Sequence, residues 1–237
     1  MLAVLAVVAA GCSSEADQGQ ASPGTALDDR TLLGLGDSVF DFHSEDNASI
    51  PHIAGQALDR PVLNVAVSGA RFANPDPDAA AEGLDIRSQY DNLGQTGFEW
   101  VVLDGGGNDV NDGCGCGQCE ALQTELISAD GTSGQIVDFV TQLVNDGSNV
   151  MYVGYYEIPG DAEFGFDRCG DELTEHNRRL ALMATQLEGV WFVNATDVVT
   201  ADNREAYDAD RVHPSPQGAQ IVGEYVAIAI NQAEQQS

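Results

Sequence analysis

Leu33-Gly34-Leu35-Gly36-Asp37-Ser38 is a short apolar run that ends in a glycine, an acid and a serine. Its length and its closing glycine predict a buried β-strand that delivers Ser38 to the carboxyl end of that strand. In open α/β sheets, ligands bind in the crevice beyond the carboxyl ends of the strands. Ser38 therefore stands where a nucleophile would be useful.

Strand-like and helical segments alternate through the rest of the chain. Apolar runs at 62–67, 100–103, 150–153 and 190–193 predict further strands. Helical apolar spacing occurs at 50–60, 84–93 and 135–145, after Gly170, and after Ser215-Pro216. This alternation predicts the α/β class, with a doubly wound, five-stranded parallel sheet in a three-layer α/β/α sandwich of the flavodoxin-like kind. We expect a single domain over residues 30–237.

Candidate functional residues follow three different predicted strands. Ser38 follows the first strand, Gly69 the second and Asn108 the third. Because the carboxyl ends of parallel strands lie at one edge of a sheet, these residues should converge there. The segment from Asp210 to His213, immediately before the last helix, can reach the same edge.

Four short blocks occur in this order along the chain: Gly36-Asp37-Ser38, Gly69, Gly106-Gly107-Asn108-Asp109 and Asp210-x-x-His213. Together they resemble the four sequence blocks of the SGNH (GDSL) hydrolases, and the resemblance spans residues 31–232. It implies the SGNH hydrolase fold and a serine esterase or lipase that needs no metal or organic cofactor. Val39 and Phe40 stand where many members carry Leu and a small hydroxyl residue, so the resemblance does not define the shape of the acyl pocket.

The chemistry of ester cleavage asks for these residue types. A serine hydroxyl attacks a carbonyl carbon only if a base takes its proton, and an imidazole can accept that proton and return it to the leaving group. His213 is the candidate base. Asp210, three residues earlier, can hold the other ring nitrogen in one tautomer. We therefore predict that Ser38, Asp210 and His213 are catalytic.

The resemblance also implies which groups would stabilise a tetrahedral oxyanion. These are the backbone N–H groups of Ser38 and Gly69 and the side-chain amide of Asn108. Neighbouring residues are expected to support these groups rather than to act as acid or base; they are Asp37, Gly107 and Asp109.

The predicted function is hydrolysis of carboxylic esters through an acyl-enzyme intermediate. Small acyl esters, or O-acetyl groups on carbohydrate, are the expected substrates, so the partner would be a small-molecule or glycan ester bound by a monomer. Two alternatives remain open at the level of the sequence. One is an acyltransferase, in which an alcohol resolves the intermediate, and the other is a non-catalytic ligand-binding lipoprotein.

The amino-terminal segment resembles a bacterial export signal. Residues 1–11 are largely apolar but too few to span a bilayer, which predicts a signal peptide. Ala9-Ala10-Gly11-Cys12 resembles a lipobox, so Cys12 would carry a lipid and residues 12–29 would form a flexible tether; an ordinary signal peptide is the alternative. Either way, we expect an extracytoplasmic protein, anchored in the bacterial cell envelope or secreted, whose only membrane contact is this anchor.

Four cysteines remain if Cys12 is lipidated, and in an exported chain they favour disulfides. A bridge from Cys114 to Cys116 would be strained, so we expect Cys169 to pair with Cys114 or Cys116. The alternative is a zinc site built from these thiolates, because Cys116-x-x-Cys119 has ligand-like spacing.

The chain is strongly acidic, with a formal net charge of −29 and no lysine. Such a charge repels nucleic acid and anionic membrane surfaces. We therefore expect neither to be a partner.

Overall fold

The computed structural model describes residues 30–74, 76 and 78–236. Its centre is a five-stranded sheet in the order β2-β1-β3-β4-β5, in which every neighbouring pair is parallel. The predicted doubly wound α/β fold is confirmed. The strands are β1 Leu32–Leu35, β2 Val62–Asn64, β3 Trp100–Leu103, β4 Asn149–Gly154 and β5 Val190–Asn194.

The described residues form eight α-helices: α1 Ser38–Asp41, α2 Ile50–Leu58, α3 Ile86–Asp91, α4 Gly107–Cys114, α5 Glu120–Leu126, α6 Gln135–Asn145, α7 Gly170–Ala184 and α8 Pro216–Glu234. The crossovers from β1 to β2 and from β3 to β4 run in opposite directions along the sheet, so right-handed connections place their helices on opposite faces. Helices α2 and α8 pack together on one face. On the other face, Tyr90 of α3 packs edge-to-face against Phe139 of α6, with ring centroids 6.2 Å apart.

Strands β1 and β3 are covered on both faces. Every residue of β1 and of β3 is buried, which explains why both read as continuous apolar runs instead of alternating ones. The edge strand β2 is shorter than the predicted run 62–67, and its side chains are only half-buried. Beyond its end, Val65 N–H still donates to Gly34 O (2.9 Å), so the chain continues alongside β1 as an irregular segment.

The direction of winding reverses between β1 and β3. The chain leaves β1 toward β2 on one side, whereas β3, β4 and β5 follow one another on the other side. A crevice opens at the carboxyl ends of the strands at such a switch point. Ser38 is the first residue of α1 and follows β1, and Asn108 lies in the first turn of α4 and follows β3. Both therefore border this crevice.

The cysteine-rich segment after β3 contains the helices α4 and α5, neither of which was predicted. Disulfides join Cys114 to Cys119 and Cys116 to Cys169. The expectation that Cys169 reaches back to one of the first two cysteines is confirmed. The zinc alternative is wrong, because all four sulfurs are used in disulfides.

The predicted signal peptide 1–11, the tether 12–29 and Cys12 lie outside the described residues. Within the described part of the chain, none of the helices is both long and apolar enough to cross a bilayer. The same residues contain no cluster of three or more His, Cys, Asp or Glu side chains that could hold a metal ion.

His176 of α7 is fully buried beneath the loop that leads from β3 to Asn108. Its Nε2 lies 3.1 Å from Gly105 O, and its Nδ1 lies 3.2 Å from Gln123 Oε1 in α5. Burial lowers the pKa of His176 to about 4, so the ring is neutral at neutral pH. The ring thus ties α5 and α7 to the loop that positions Asn108.

We predict that His176 makes the fold sensitive to mild acid. In the unfolded chain the pKa of His176 is near 6.5, whereas in the folded protein it is about 4. Between these pH values the unfolded state binds a proton that the folded state does not. The stability that the neutral, buried ring contributes is therefore present above pH 6.5 and is lost as the pH falls toward 4. The free energy of unfolding of the wild type minus that of His176→Gln should fall by about 2 kcal/mol between pH 7.5 and pH 5. Urea denaturation of both proteins at both pH values measures this difference. An equal difference at the two pH values would contradict the prediction.

Candidate active site

The candidate nucleophile lies where β1 ends and α1 begins. Asp37 caps α1, since its Oδ1 accepts the N–H of Val39 (3.0 Å). Ser38 is half-buried and lines an open cleft of about 380 Å³ together with Gly69, Asn108 and His213. The structure therefore brings together the predicted residues that follow three different strands with the one that precedes α8.

His213 and Asp210 form a hydrogen-bonded pair beside this cleft. His213 Nδ1 lies 2.7 Å from Asp210 Oδ2, and Asp210 Oδ1 accepts the N–H groups of Val212 and His213, both at 2.9 Å. A carboxylate offers no proton, so Nδ1 must carry the hydrogen and Nε2 is left as an acceptor. The ring of Phe42 stacks on the imidazole, with centroids 3.8 Å apart and planes 7° apart, and holds it in one orientation.

Asp210 keeps its negative charge despite its partial burial. Burial raises the pKa of Asp210, but the hydrogen bonds from His213 and Val212 outweigh burial and bring its pKa below the usual value. Two hydrogen bonds hold the backbone of the segment from Asp210 to His213 in place. The Glu163 N–H donates to Asp210 O (2.9 Å), and the Tyr156 hydroxyl donates to Val212 O (2.6 Å). The carboxylate is therefore available across the neutral pH range to orient the imidazole.

The cleft also contains hydrogen-bond donors without an internal partner. The backbone N–H groups of Ser38 and Gly69 donate to no acceptor among the residues that the structure describes. Gly69 has φ +83°, a backbone conformation that favours glycine, and it is exposed to the cleft. The Asn108 amide donates one hydrogen to Ala70 O (3.2 Å), which leaves its second N–H available. These donors could bind a negatively charged oxygen.

Asp37 belongs to a buried network that connects β1, β3 and β4. Its N–H donates to Asp104 Oδ1 (2.9 Å), and its Oδ2 accepts the Tyr155 hydroxyl (2.6 Å). The Tyr155 oxygen in turn accepts the N–H of Gly107 (2.7 Å). A Cβ on Gly107 would lie 2.7 Å from Tyr155 Cζ, so a side chain at 107 would push the ring away from this contact. Asp37 and Gly107 both belong to this network, beside the predicted nucleophile and Asn108.

The carboxyl groups of Asp37 and Asp104 have different surroundings. Burial raises the pKa of both, but Val39 N–H and the Tyr155 hydroxyl stabilise the charged form of Asp37. The pKa of Asp104 is raised well above its usual value by burial and by the neighbouring Asp37, and its Oδ2 is buried without a partner among the described residues. Of the two carboxyl groups, Asp104 is therefore the one whose neutral form its surroundings favour more strongly.

Asp109 supports a neighbouring loop. Its carboxylate accepts the N–H groups of Phe72 (3.1 Å) and Ala73 (2.7 Å), a segment shortly after Gly69. Burial raises the pKa of Asp109 to about 6 in spite of these hydrogen bonds. The supporting role of Asp109 in catalysis stays a prediction.

Several residues of the site carry no recognisable sequence signal. Tyr155 and Asp104 reach the site from the ends of apolar strands, where the sequence indicates only a core. Phe42, Phe164 and Phe166 line the cleft from loops, and Phe164 is 65% exposed. His43, which is close enough to Ser38 along the chain to line the cleft, instead borders a neighbouring depression, and its Nε2 lies 3.0 Å from Pro214 O.

Known proteins share sequence features and the fold with this chain. The model of the GDSL-like lipase/acylhydrolase family matches residues 35–221. Among solved structures, a carbohydrate acetylesterase from Sinorhizobium meliloti is 14% identical, with a TM-score of 0.62 over 86% of this chain and 99% of that one. The aryl esterase of M. smegmatis is 18% identical, with a TM-score of 0.61 and the same coverage. At such identities the structures show a shared fold alone, and no curated protein matches the sequence significantly.

We predict that the Tyr155 hydroxyl is important for stability. Tyr155→Phe removes the acceptor of the Gly107 N–H and the donor to Asp37, and both groups are buried, so the free energy of unfolding should fall by about 1–3 kcal/mol. Urea denaturation measures the change. Tyr225→Phe is the matched control, because its exposed hydroxyl makes only a 3.3 Å bond to Asp197, and it should change stability by no more than about 0.5 kcal/mol. Equal effects of the two substitutions would argue against the network.

Proposed function

Because the chain belongs to the GDSL-like lipase/acylhydrolase family, we propose that it is a serine esterase that hydrolyses carboxylic esters through an acyl-enzyme intermediate. The observation that carries this proposal is the 2.7 Å bond between His213 Nδ1 and Asp210 Oδ2, which leaves Nε2 as an acceptor on the cleft that Ser38 lines. The proposed substrates are small acyl esters or O-acetyl groups on carbohydrate.

In the first step, Ser38 Oγ attacks the carbonyl carbon of the ester. Its proton passes to His213 Nε2, and Asp210 stabilises the imidazolium that results. The tetrahedral intermediate then collapses: the bond to the alcohol oxygen breaks, and that oxygen takes the proton from Nε2. The acyl group remains on Ser38.

In the second step, water attacks the acyl-enzyme. His213 Nε2 accepts a proton from the water, and the bond between the acyl carbon and Ser38 Oγ breaks as Oγ takes this proton back. In both steps the negative charge on the carbonyl oxygen would be stabilised by the N–H groups of Ser38 and Gly69 and by the amide of Asn108.

We further propose that the protein acts outside the cytoplasm, anchored through Cys12 in the bacterial cell envelope or secreted. The two disulfides support this location, because disulfides persist mainly in oxidising compartments. The apolar segment 1–11 and the lipobox-like residues before Cys12 support it independently.

We predict that hydrolysis depends on Ser38. Ser38→Ala should lower kcat for p-nitrophenyl acetate by at least about 10³-fold, because it removes the hydroxyl that forms the acyl-enzyme in this proposal. A fluorophosphonate probe followed by peptide mass spectrometry should label the wild type at Ser38. Ser68→Ala, which removes the other serine hydroxyl lining the cleft, should still be labelled at Ser38. Undiminished turnover by Ser38→Ala would rule out the proposed nucleophile.

We predict a separate contribution from the Asn108 amide. Asn108→Ala removes a donor to the developing oxyanion and should lower kcat by about 10²- to 10³-fold with little change in KM. Asn111→Ala is the matched control, because Asn111 lies one turn further along α4 and also lines the cleft. Steady-state kinetics on p-nitrophenyl acetate compares the two variants. If kcat falls no further in Asn108→Ala than in Asn111→Ala, Asn108 is not part of the oxyanion site.

A further inference from the structure

A small apolar cavity lies against Ser38 and Asn108. It measures about 10 Å³, whereas the open cleft that the same two residues line measures about 380 Å³. Ile158, Leu173 and Val212 are among its apolar walls. A cavity of this size holds about one water-sized group, which is also the size of a methyl group. An acyl group on Ser38 therefore has one small space and one large space beside it.

Three walls of the small cavity also border a second space. Tyr156, Ile158 and Leu173 line a surface groove of about 220 Å³, whose other walls are largely polar and include Thr174 and Asn177. The same three side chains therefore separate the small cavity from the groove.

The separating side chains are held firmly. Leu173 is only 2% exposed, and its N–H donates to the carbonyl of Cys169 (2.9 Å), whose sulfur is bonded to Cys116. Tyr156 is buried, and its hydroxyl donates to Val212 O. Ile158 is half-buried in the loop after β4. Because protein interiors are close-packed, these side chains do not yield cheaply to a larger group.

We propose that Ile158 and Leu173 limit the acyl group of the substrate to acetyl, and that they do so by closing the small cavity off from the groove. The inference rests on the proposed esterase function and narrows its substrate class to acetyl esters. The acetyl methyl fills the small cavity, and the alcohol part lies in the open cleft, which has room for a sugar ring or an aromatic ring. Each additional methylene on the acyl group meets the side chains of Ile158 and Leu173.

The test is the chain-length dependence of hydrolysis by the full chain. kcat/KM is measured for p-nitrophenyl acetate, propionate, butyrate and hexanoate with the wild type, Leu173→Ala, Ile158→Ala and Ser38→Ala. For the wild type we expect a fall of about 10- to 200-fold for each of the first added methylenes. In Leu173→Ala and Ile158→Ala the cavity opens into the groove, so the ratio of butyrate to acetate activity should rise by about 10-fold or more.

Leu180→Ala is the matched control for Leu173→Ala. Leu180 lies on the same helix and is fully buried, but it lines neither the small cavity nor the groove, so its loss should leave the butyrate-to-acetate ratio unchanged. Ile158 lies in a loop, so Ile158→Ala still provides the butyrate-to-acetate ratio if Leu173→Ala does not fold. Thermal melts of each variant establish folding.

The outcomes separate this inference from the proposed function. Ser38-dependent hydrolysis with a chain-length profile that neither cavity substitution changes would overturn the inference and leave the esterase proposal intact. Equal wild-type activity on p-nitrophenyl acetate and hexanoate would also overturn the inference and leave the esterase proposal intact. Hydrolysis that is absent on every ester, or equal in Ser38→Ala, would overturn the proposed function and this inference with it.

Discussion

The hydrogen bond from the Asp37 N–H to Asp104 Oδ1 is the contact on which the rest of the site depends. It joins the end of β1, directly before Ser38, to the end of β3, at the start of the loop that leads to Asn108. Tyr155, just beyond β4, extends this join, because its hydroxyl donates to Asp37 and accepts the N–H of Gly107. Three neighbouring strands thus end in one buried network, which sets the separation between Ser38 and Asn108.

The surroundings of the titratable groups around the cleft favour different ionisation states. Under the site, burial raises the pKa of Asp104 and lowers that of His176, so the neutral form of each is favoured where water cannot solvate a charge. At the rim, hydrogen bonds from His213 and two backbone N–H groups keep Asp210 ionised. An ionised Asp210 beside the cleft suits a reaction in which the neighbouring imidazole takes up a proton, because the negative charge stabilises the imidazolium.

The cysteine-rich segment and the loop after β4 build the walls of the site. The disulfide between Cys116 and Cys169 ties the segment after α4 to the start of α7, where Leu173 borders the small cavity. Phe164 and Phe166 come from the loop before α7 and line the open cleft. Loops of this kind are where a common fold acquires its own specificity. The strands position the reacting groups, and the covalently tied loops shape the space that a substrate would occupy.

The sequence by itself determined the order of the five strands and of the helices α2, α3, α6, α7 and α8, and the positions of Ser38, Gly69, Asn108, Asp210 and His213 within that order. These features are local: apolar periodicity marks each element, and glycines and polar residues mark where it ends. The tertiary structure decided what depends on contacts between distant segments. These are the adjacency of β1 and β3, the roles of Tyr155 and Asp104, the choice of Cys116 as the partner of Cys169, and the side chains that close the small cavity. Such contacts join residues far apart in the chain, so no local pattern in the sequence records them.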